Sequence, residues 1–160
     1  MVPTGSVRDV LRITDHVAAG VVSEAWRVYP EEACGLLLGP AGLGAVGAVR
    51  HFQPIDNAAR SSRIFQLDPR GFMKVERFAD DNGLEVVGVM HSHTHTAAYP
   101  SATDIQEAIK PLVPPSWHWL IVSLAWGFPE LRSFAVAPSP GHFGSDSASG
   151  IAEETVLLTN

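Results

Sequence analysis

Cysteine is nearly absent from the sequence, in which Cys34 is the single one among 160 residues. A disulfide within the chain is therefore excluded. A chain without structural disulfides is typical of a reducing compartment, which agrees with the cytoplasm.

Basic residues are also few: 11 Lys and Arg stand against 17 Asp and Glu, for a net charge of -6 and a pI near 5.5. The basic residues are scattered, whereas nucleic acids and anionic membranes require them in clusters. No apolar run approaches the roughly 20 residues of a membrane span, and the first ten residues lack the apolar core of a signal peptide. We therefore expect a cytoplasmic protein that binds neither nucleic acid nor membrane.

The chain is long enough for one domain, and its 46% hydrophobic residues are sufficient for a buried core. We expect this domain to span residues 1–137. Residues 138–160 begin with a segment rich in Pro, Gly and Ser, which predicts a flexible C-terminal tail. An alternative within that tail is that residues 155–158 dock as a last strand.

Short apolar runs alternate with segments of helical periodicity. Thr14 or Asp15 is expected to cap a first helix, Asp68 a second, and a third is predicted over 101–110. The predicted strands are 10–13, 32–38, 45–53, 63–67, 84–90, 117–124 and 131–136. This alternation predicts an α/β fold with a sheet covered by helices.

Two histidines with ligand spacing follow the apolar strand 84–90. His91 and His93 are two residues apart, so their imidazoles can point to the same side of a strand. Asp104 lies thirteen residues beyond His91, in the first turn of the third helix. Two imidazoles and one carboxylate leave one position of a tetrahedral zinc open for water, which is typical of a catalytic site.

Two further residues have the right chemistry for hydrolysis. Glu32 lies at the edge of a buried strand, where a carboxylate is unfavourable unless it has a role or a partner; we expect it to act as the general base. Ser101 could donate a hydrogen bond to the developing oxyanion. Taken alone, however, Ser101 with Asp104 also fits a capping box at a helix start, and a His-x-His pair is a weak signal.

The order of these features carries more information than any one of them. The chain has Glu-x-Cys-Gly at 32–35, His-x-His at 91–93, seven intervening residues, and then Ser101 and Asp104. This arrangement resembles the full signature of the JAMM (MPN+) zinc metalloproteases. The resemblance implies an αβα sandwich with a mixed sheet, related to the cytidine-deaminase fold. It also implies one catalytic Zn²⁺ bound by His91, His93 and Asp104, with Glu32 as general acid and base and Ser101 supporting the intermediate.

The chain lacks room after Asp104 for the insertions of the large eukaryotic members of that family. Its stretches YPEEACGLLLGP, NAARSS and HSHTHTAAYPSATD resemble a small bacterial branch. The resemblance implies cleavage after the C-terminal Gly-Gly of a ubiquitin-like sulfur-carrier protein, either to trim residues or to release a cysteine. Asn57 and Arg60 match a segment of that branch and could touch the substrate or merely form a capped surface loop. His95 departs from the branch and is interpreted as a loop residue, and Cys34 as a buried structural cysteine.

Two other functions are alternatives to the peptidase. A zinc nucleobase deaminase needs a Pro-Cys-x-x-Cys segment, which a chain with one cysteine cannot supply. A non-catalytic binding or scaffold module of the same fold remains the alternative, and the intact ligand set argues against it.

Overall fold

The computed structural model describes residues 10–138 and 150–160 of the chain. These residues form three α-helices and seven β-strands, together with a short 3-10 turn at Gly44–Val46. The helices are α1 (Asp15–Arg27), α2 (Pro69–Asp81) and α3 (Ala102–Ala108). The strands are β1 (Val10–Thr14), β2 (Cys34–Pro40), β3 (His51–Ile55), β4 (Leu84–His93), β5 (His118–Ser123), β6 (Glu130–Val136) and β7 (Ile151–Thr159).

All seven strands belong to one mixed sheet with the order β1-β7-β6-β5-β4-β2-β3. The β1/β7 and β4/β5 pairs are parallel, and the other neighbours are antiparallel. The long strand β4 lies inside the sheet between β2 and β5. Its carboxyl end, which carries the two histidines, is therefore held on both sides.

The sheet is covered on both faces. Alternate residues of the central strands point to one side, where they pack with Val17, Val21 and Ala25 of α1. The intervening residues of the same strands point to the opposite face, where they pack with Val75 and Ala79 of α2 and with α3. The predicted αβα sandwich with a mixed sheet is confirmed.

The helix starts follow the predicted capping residues. The Thr14 hydroxyl accepts from the Val17 amide at 3.2 Å, and the Asp68 carboxylate accepts from the Gly71 amide at 2.9 Å, directly before Pro69. Each side chain satisfies an amide that has no partner within the first helical turn. Both predicted starts are confirmed.

The glycine of the Glu-x-Cys-Gly segment has a packing reason. A Cβ on Gly35 would overlap the Gln53 carbonyl and the Phe52 ring, both on the neighbouring strand β3. Only glycine therefore allows β2 and β3 to approach as closely as they do.

Four expectations need correction. The strand expected over 45–53 is shorter, because residues 44–46 form the 3-10 turn, Val49 makes only an isolated bridge with Ile13, and β3 begins at His51. Residues 63–67 form no strand; they continue a loop that makes an isolated bridge from Asn57 to Leu67. Glu32 precedes β2 and is not part of it. The flexible tail expected for 138–160 is corrected over Ile151–Thr159, which form β7. Residues 151–154 of this strand pair with β6, and residues 155–159 pair with β1. Residues 139–149 of that tail lie outside the described residues.

Among the helices of the described part of the chain, none has both the length and the apolar character that crossing a bilayer requires.

Candidate metal centre

Three ligand atoms converge at the carboxyl end of β4. The Nε2 atoms of His91 and His93 are 3.1 Å apart, and each is 3.1 Å from Oδ2 of Asp104. All three side chains are buried. The structure thus brings together the three residues that the spacing predicted as ligands.

Each histidine is oriented by its surroundings. The His93 ring donates from Nδ1 to the Ala97 carbonyl at 2.7 Å, which leaves Nε2 as the atom that faces the centre. The His91 ring stacks on Phe65, with centroids 4.4 Å apart and planes 19° from parallel. Complete burial lowers the pKa of His91, so its imidazole is held neutral, the form that binds metals.

Asp104 is held by the start of α3. The Ser101 hydroxyl accepts from the Asp104 amide at 3.1 Å, and the Ser101 amide donates to Oδ2 of Asp104 at 2.8 Å. The capping box is therefore present, and the same carboxylate oxygen faces both histidines. Burial by itself would raise the pKa of Asp104, but hydrogen bonds with the two imidazoles and with Ser101 hold it well below its ordinary value.

The donor set fits a zinc ion. Tetrahedral zinc with bonds of about 2.0–2.1 Å to nitrogen and oxygen separates its ligand atoms by about 3.3–3.4 Å. The three separations of 3.1 Å are close to that value. His91, His93 and Asp104 form a JAMM-like metal site.

Glu32 lies beside this centre with an unpaired oxygen. Its Oε2 is buried and has no hydrogen-bond partner within the described residues. Burial raises the pKa of Glu32 to about 8. The nearby Asp104 also raises this pKa, whereas His93 lowers it. A carboxyl group with this pKa can take up and return a proton near neutral pH, as a general acid and base must.

The main chain around Glu32 is clamped from two sides. On one side, the Glu32 amide donates to the Ser61 carbonyl at 2.8 Å and its carbonyl accepts from Nδ2 of Asn57 at 3.0 Å. On the other side, the Ala33 amide donates to Oγ of Ser92 at 2.7 Å, and the Ser92 amide donates to the Ala33 carbonyl at 2.9 Å. Glu32 is thereby tied to the strand that carries both histidines.

Sequence reasoning missed Ser92, although it lies between the two predicted ligands. Its side chain is fully buried and points away from theirs, as strand alternation requires. A hydroxyl inside a buried strand needs a partner, and this was the signal that could have drawn attention to it.

A cleft of about 440 Å³ opens at the metal site. It is lined by Glu32, His93 and Ser101 together with Ser62, Arg63, His95 and Thr96. Ser101 caps α3 and also lines the cleft, and its role at the oxyanion stays a prediction. The exposed His95 is a loop residue at the cleft, as expected.

Asn57 and Arg60 have different surroundings from the metal ligands. The Asn57 side chain donates to the Glu32 and Ile64 carbonyls at 3.0 Å and accepts from the Ala59 and Gln66 amides at 3.0 Å. All its polar atoms are used within the fold, which favours the capped loop over substrate contact. Arg60, with φ of 46°, lines a separate cavity of about 220 Å³ on the α1 side of Glu32.

Trp126 and Tyr29 are exposed aromatic side chains. Trp119 lies on β5 and is buried, whereas Trp126 is 55% exposed, because it lies in the turn between β5 and β6 and not on a strand. Tyr29 packs edge-on against His95, with ring centroids 6.1 Å apart.

Comparison with known proteins gives relatives over most of the chain. The sequence profile described as prokaryotic homologs of the JAB domain matches residues 14–137. The chain is 40% identical over 128 residues to a protein named CysO-cysteine peptidase from Mycobacterium tuberculosis, covering 79% of this chain and 83% of that protein. It is 31% identical over 133 residues to a protein named desampylase from Haloferax volcanii, with 78% and 88% covered.

Solved structures share the architecture. The solution structure of a Desulfitobacterium hafniense protein superposes with a TM-score of 0.77 at 30% identity, covering 94% of this chain and 93% of that one. A JAB1/MPN domain protein from Archaeoglobus fulgidus has a TM-score of 0.53 at 16% identity over 92% and 99% of the two chains, which shows the fold alone. With the profile match and the His-His-Asp centre, these relatives show that the chain belongs to the family of prokaryotic JAB-domain proteins.

Proposed function

We propose that this chain is a zinc-dependent peptidase that hydrolyses the amide bond after the C-terminal Gly-Gly of a ubiquitin-like sulfur-carrier protein. The reaction either removes residues that follow the diglycine or releases a cysteine attached to it. The relatives named CysO-cysteine peptidase and desampylase support this reaction class. We also propose that the protein works in the cytoplasm.

One observation carries the proposal: the buried Glu32 carboxyl, with its unpaired Oε2, opens onto the same cleft as the metal-binding cluster. An unpaired polar atom in the interior is unfavourable by about 1–3 kcal/mol, so its presence beside three converging ligand atoms supports a catalytic role. A scaffold module of the same fold has no use for such a group.

The residues have distinct roles in the proposed reaction. His91, His93 and Asp104 hold the zinc, which when bound polarises the scissile carbonyl and lowers the pKa of a water molecule. Glu32 accepts a proton at Oε2 from the attacking water molecule and returns it to the nitrogen of the leaving amine. Ser101 faces the cleft and supports the oxyanion with its hydroxyl.

The test is intact-mass analysis of a sulfur-carrier protein extended beyond its Gly-Gly end. Metal-loaded wild type is expected to remove the extension, whereas Glu32→Gln and chelated wild type are expected to leave the mass unchanged. Glu31→Gln is the matched control, because Glu31 is the adjacent glutamate but lines the cavity on the α1 side and not the cleft.

Metal analysis separates the peptidase from the scaffold alternative. Equimolar zinc in wild type and in Glu32→Gln, with turnover in wild type alone, supports the peptidase. Wild type without zinc and without cleavage would contradict it and favour the scaffold. Equal turnover in wild type and Glu32→Gln would contradict the role of Glu32.

A further inference from the structure

We propose that Arg63 forms a carboxylate-binding subsite, which selects substrates whose leaving group is a single amino acid with a free α-carboxylate. This inference rests on the proposed function, since it specifies which residue may follow the cleaved bond. It is carried by the placement of Arg63 on a tightly anchored loop at the edge of the cleft.

The loop is anchored at both ends. Asn57 binds the carbonyls of Glu32 and Ile64 and the amides of Ala59 and Gln66, so its side chain closes the loop. At the far end, the buried Phe65 stacks on the metal-site residue His91. The loop is thereby held both to the catalytic Glu32 and to His91, one of the three metal-binding residues.

Its tip is also held. The Ser61 hydroxyl accepts from the amides of Arg63 and Ile64 at 3.0 and 3.3 Å. The Ser62 carbonyl accepts from the Thr94 hydroxyl at 3.1 Å, directly after the ligand strand β4. The main chain of Arg63 is therefore positioned relative to the metal centre, and this is the preorganisation that a recognition group needs.

Arg63 is an exposed cation without an ion pair. Arg27 and Arg132 lie 2.6 and 2.7 Å from Glu24 and Glu153, but no carboxylate of the described residues is within ion-pair distance of Arg63. Among the described residues that line the cleft, Arg63 alone carries a permanent positive charge. A bound zinc is itself cationic, so the guanidinium is not there to stabilise the metal. It is available for an anion that enters the cleft.

The chemistry of the substrate specifies that anion. When one amino acid follows the diglycine, its α-carboxylate lies at a constant, short distance beyond the scissile amide. A guanidinium binds a carboxylate through two parallel hydrogen bonds and is always charged. An isopeptide bond to a lysine side chain, or a longer extension, places no terminal carboxylate at that distance. Arg63 therefore favours release of a single amino acid.

The test compares three substrates built on one carrier protein: Gly-Gly-Cys with a free carboxylate, the same with a C-terminal amide, and Gly-Gly-Cys followed by two more residues. A hydrogen bond to a charged group contributes about 1.5–3 kcal/mol, which corresponds to about 10–140-fold. Wild type is expected to prefer the free carboxylate by that factor in kcat/KM, mainly through KM. Arg63→Ala is expected to lose this preference and to cleave the other two substrates as wild type does.

Arg77→Ala is the matched control, because Arg77 is an exposed arginine on α2 that does not line the cleft. It is expected to keep the wild-type preference, and Arg63→Lys to keep part of it. An equal loss on all three substrates in Arg63→Ala, or no preference in wild type, would overturn the subsite while leaving the peptidase intact. Wild type that cleaves none of the substrates would overturn the proposed function and the subsite with it.

Discussion

Two buried polar clusters lie toward opposite ends of the parallel strands β4 and β5, and they differ in how completely their atoms are paired. One is the metal cluster of His91, His93 and Asp104 with Glu32. The other joins His118 at the start of β5 to Glu154 of β7 and Ser133 of β6. His118 and His91 are both fully buried.

The second cluster is saturated. The two ring nitrogens of His118 lie 2.8 Å from Glu154 and 3.0 Å from the Ala45 carbonyl, and the Ser133 hydroxyl donates to Glu154 at 2.7 Å. In the metal cluster, by contrast, Oε2 of Glu32 and Nδ1 of His91 have no partner within the described residues. Buried polar groups that saturate one another stabilise a fold, whereas unpaired groups beside converging ligand atoms indicate a ligand or a reaction. Burial alone does not distinguish the two clusters.

The largest effect is expected when the metal cluster loses one of its ligands. Asp104→Asn removes one ligand charge but keeps the side-chain shape, so zinc is expected to fall from one per chain to almost none. Turnover should fall roughly a hundredfold or more, since disturbing even the partners of metal ligands has effects of 10–100-fold. Metal analysis and carrier cleavage measure both. The same change at the other cluster, Glu154→Gln, is expected to keep zinc and turnover; loss of both there would remove the distinction between the clusters.

The second largest effect is expected when the saturated cluster loses His118. His118→Ala leaves Glu154 buried without its main partner, which should lower the free energy of unfolding by about 3–5 kcal/mol. Zinc content per folded chain should not change. Denaturant unfolding and metal analysis of the same samples check this. A variant of wild-type stability that has lost zinc would contradict the structural role of His118.

A smaller effect tests the tie between Glu32 and the ligand strand. Ser92→Ala leaves the buried Ala33 amide without its acceptor, which is unfavourable by about 1–3 kcal/mol. Because Glu32 would then be less well positioned, kcat is expected to fall while KM and zinc content stay near wild type. Ser92→Thr keeps the hydroxyl and is expected to restore kcat. A fall that Ser92→Thr does not repair would argue against positioning through this hydrogen bond.

The smallest effect concerns Cys34, a paired buried group next to the metal cluster. Its thiol donates to the Ile55 carbonyl at 3.3 Å, and burial, with a contribution from Glu32, raises its pKa from 9.0 to about 12. The neutral thiol therefore stabilises the fold fully below pH 9, and this contribution is lost as the pH rises toward 12. The difference in unfolding free energy between wild type and Cys34→Ala should shrink above pH 9 by up to about 1.4 kcal/mol per pH unit. A difference that is constant between pH 8 and pH 10.5 would contradict it.

Much of the fold could be predicted from local patterns. Thr14 and Asp68 mark helix starts by short-range hydrogen bonds, and apolar runs such as 84–90 mark buried strands. The strand predicted over 63–67 was wrong because Phe65 is buried by stacking on His91, a contact distant in sequence that imitates the apolar signal of a strand. Strand β7 was expected only as an alternative, since its place between β1 and β6 depends on pairing with strands far away in the sequence.

The sequence by itself determined the chemical inventory of the site: His91 and His93 on one side of a strand, Asp104 in a helical turn, and Glu32 in the family's spacing. Only the tertiary structure decided which polar groups are paired. It showed the Asn57 side chain occupied within its loop. Within residues 10–138 and 150–160, it left Oε2 of Glu32 unpaired and placed Arg63 at the cleft without a carboxylate partner. The physical reason is that motif spacing depends on local geometry, whereas hydrogen-bond saturation depends on partners that come from distant parts of the chain.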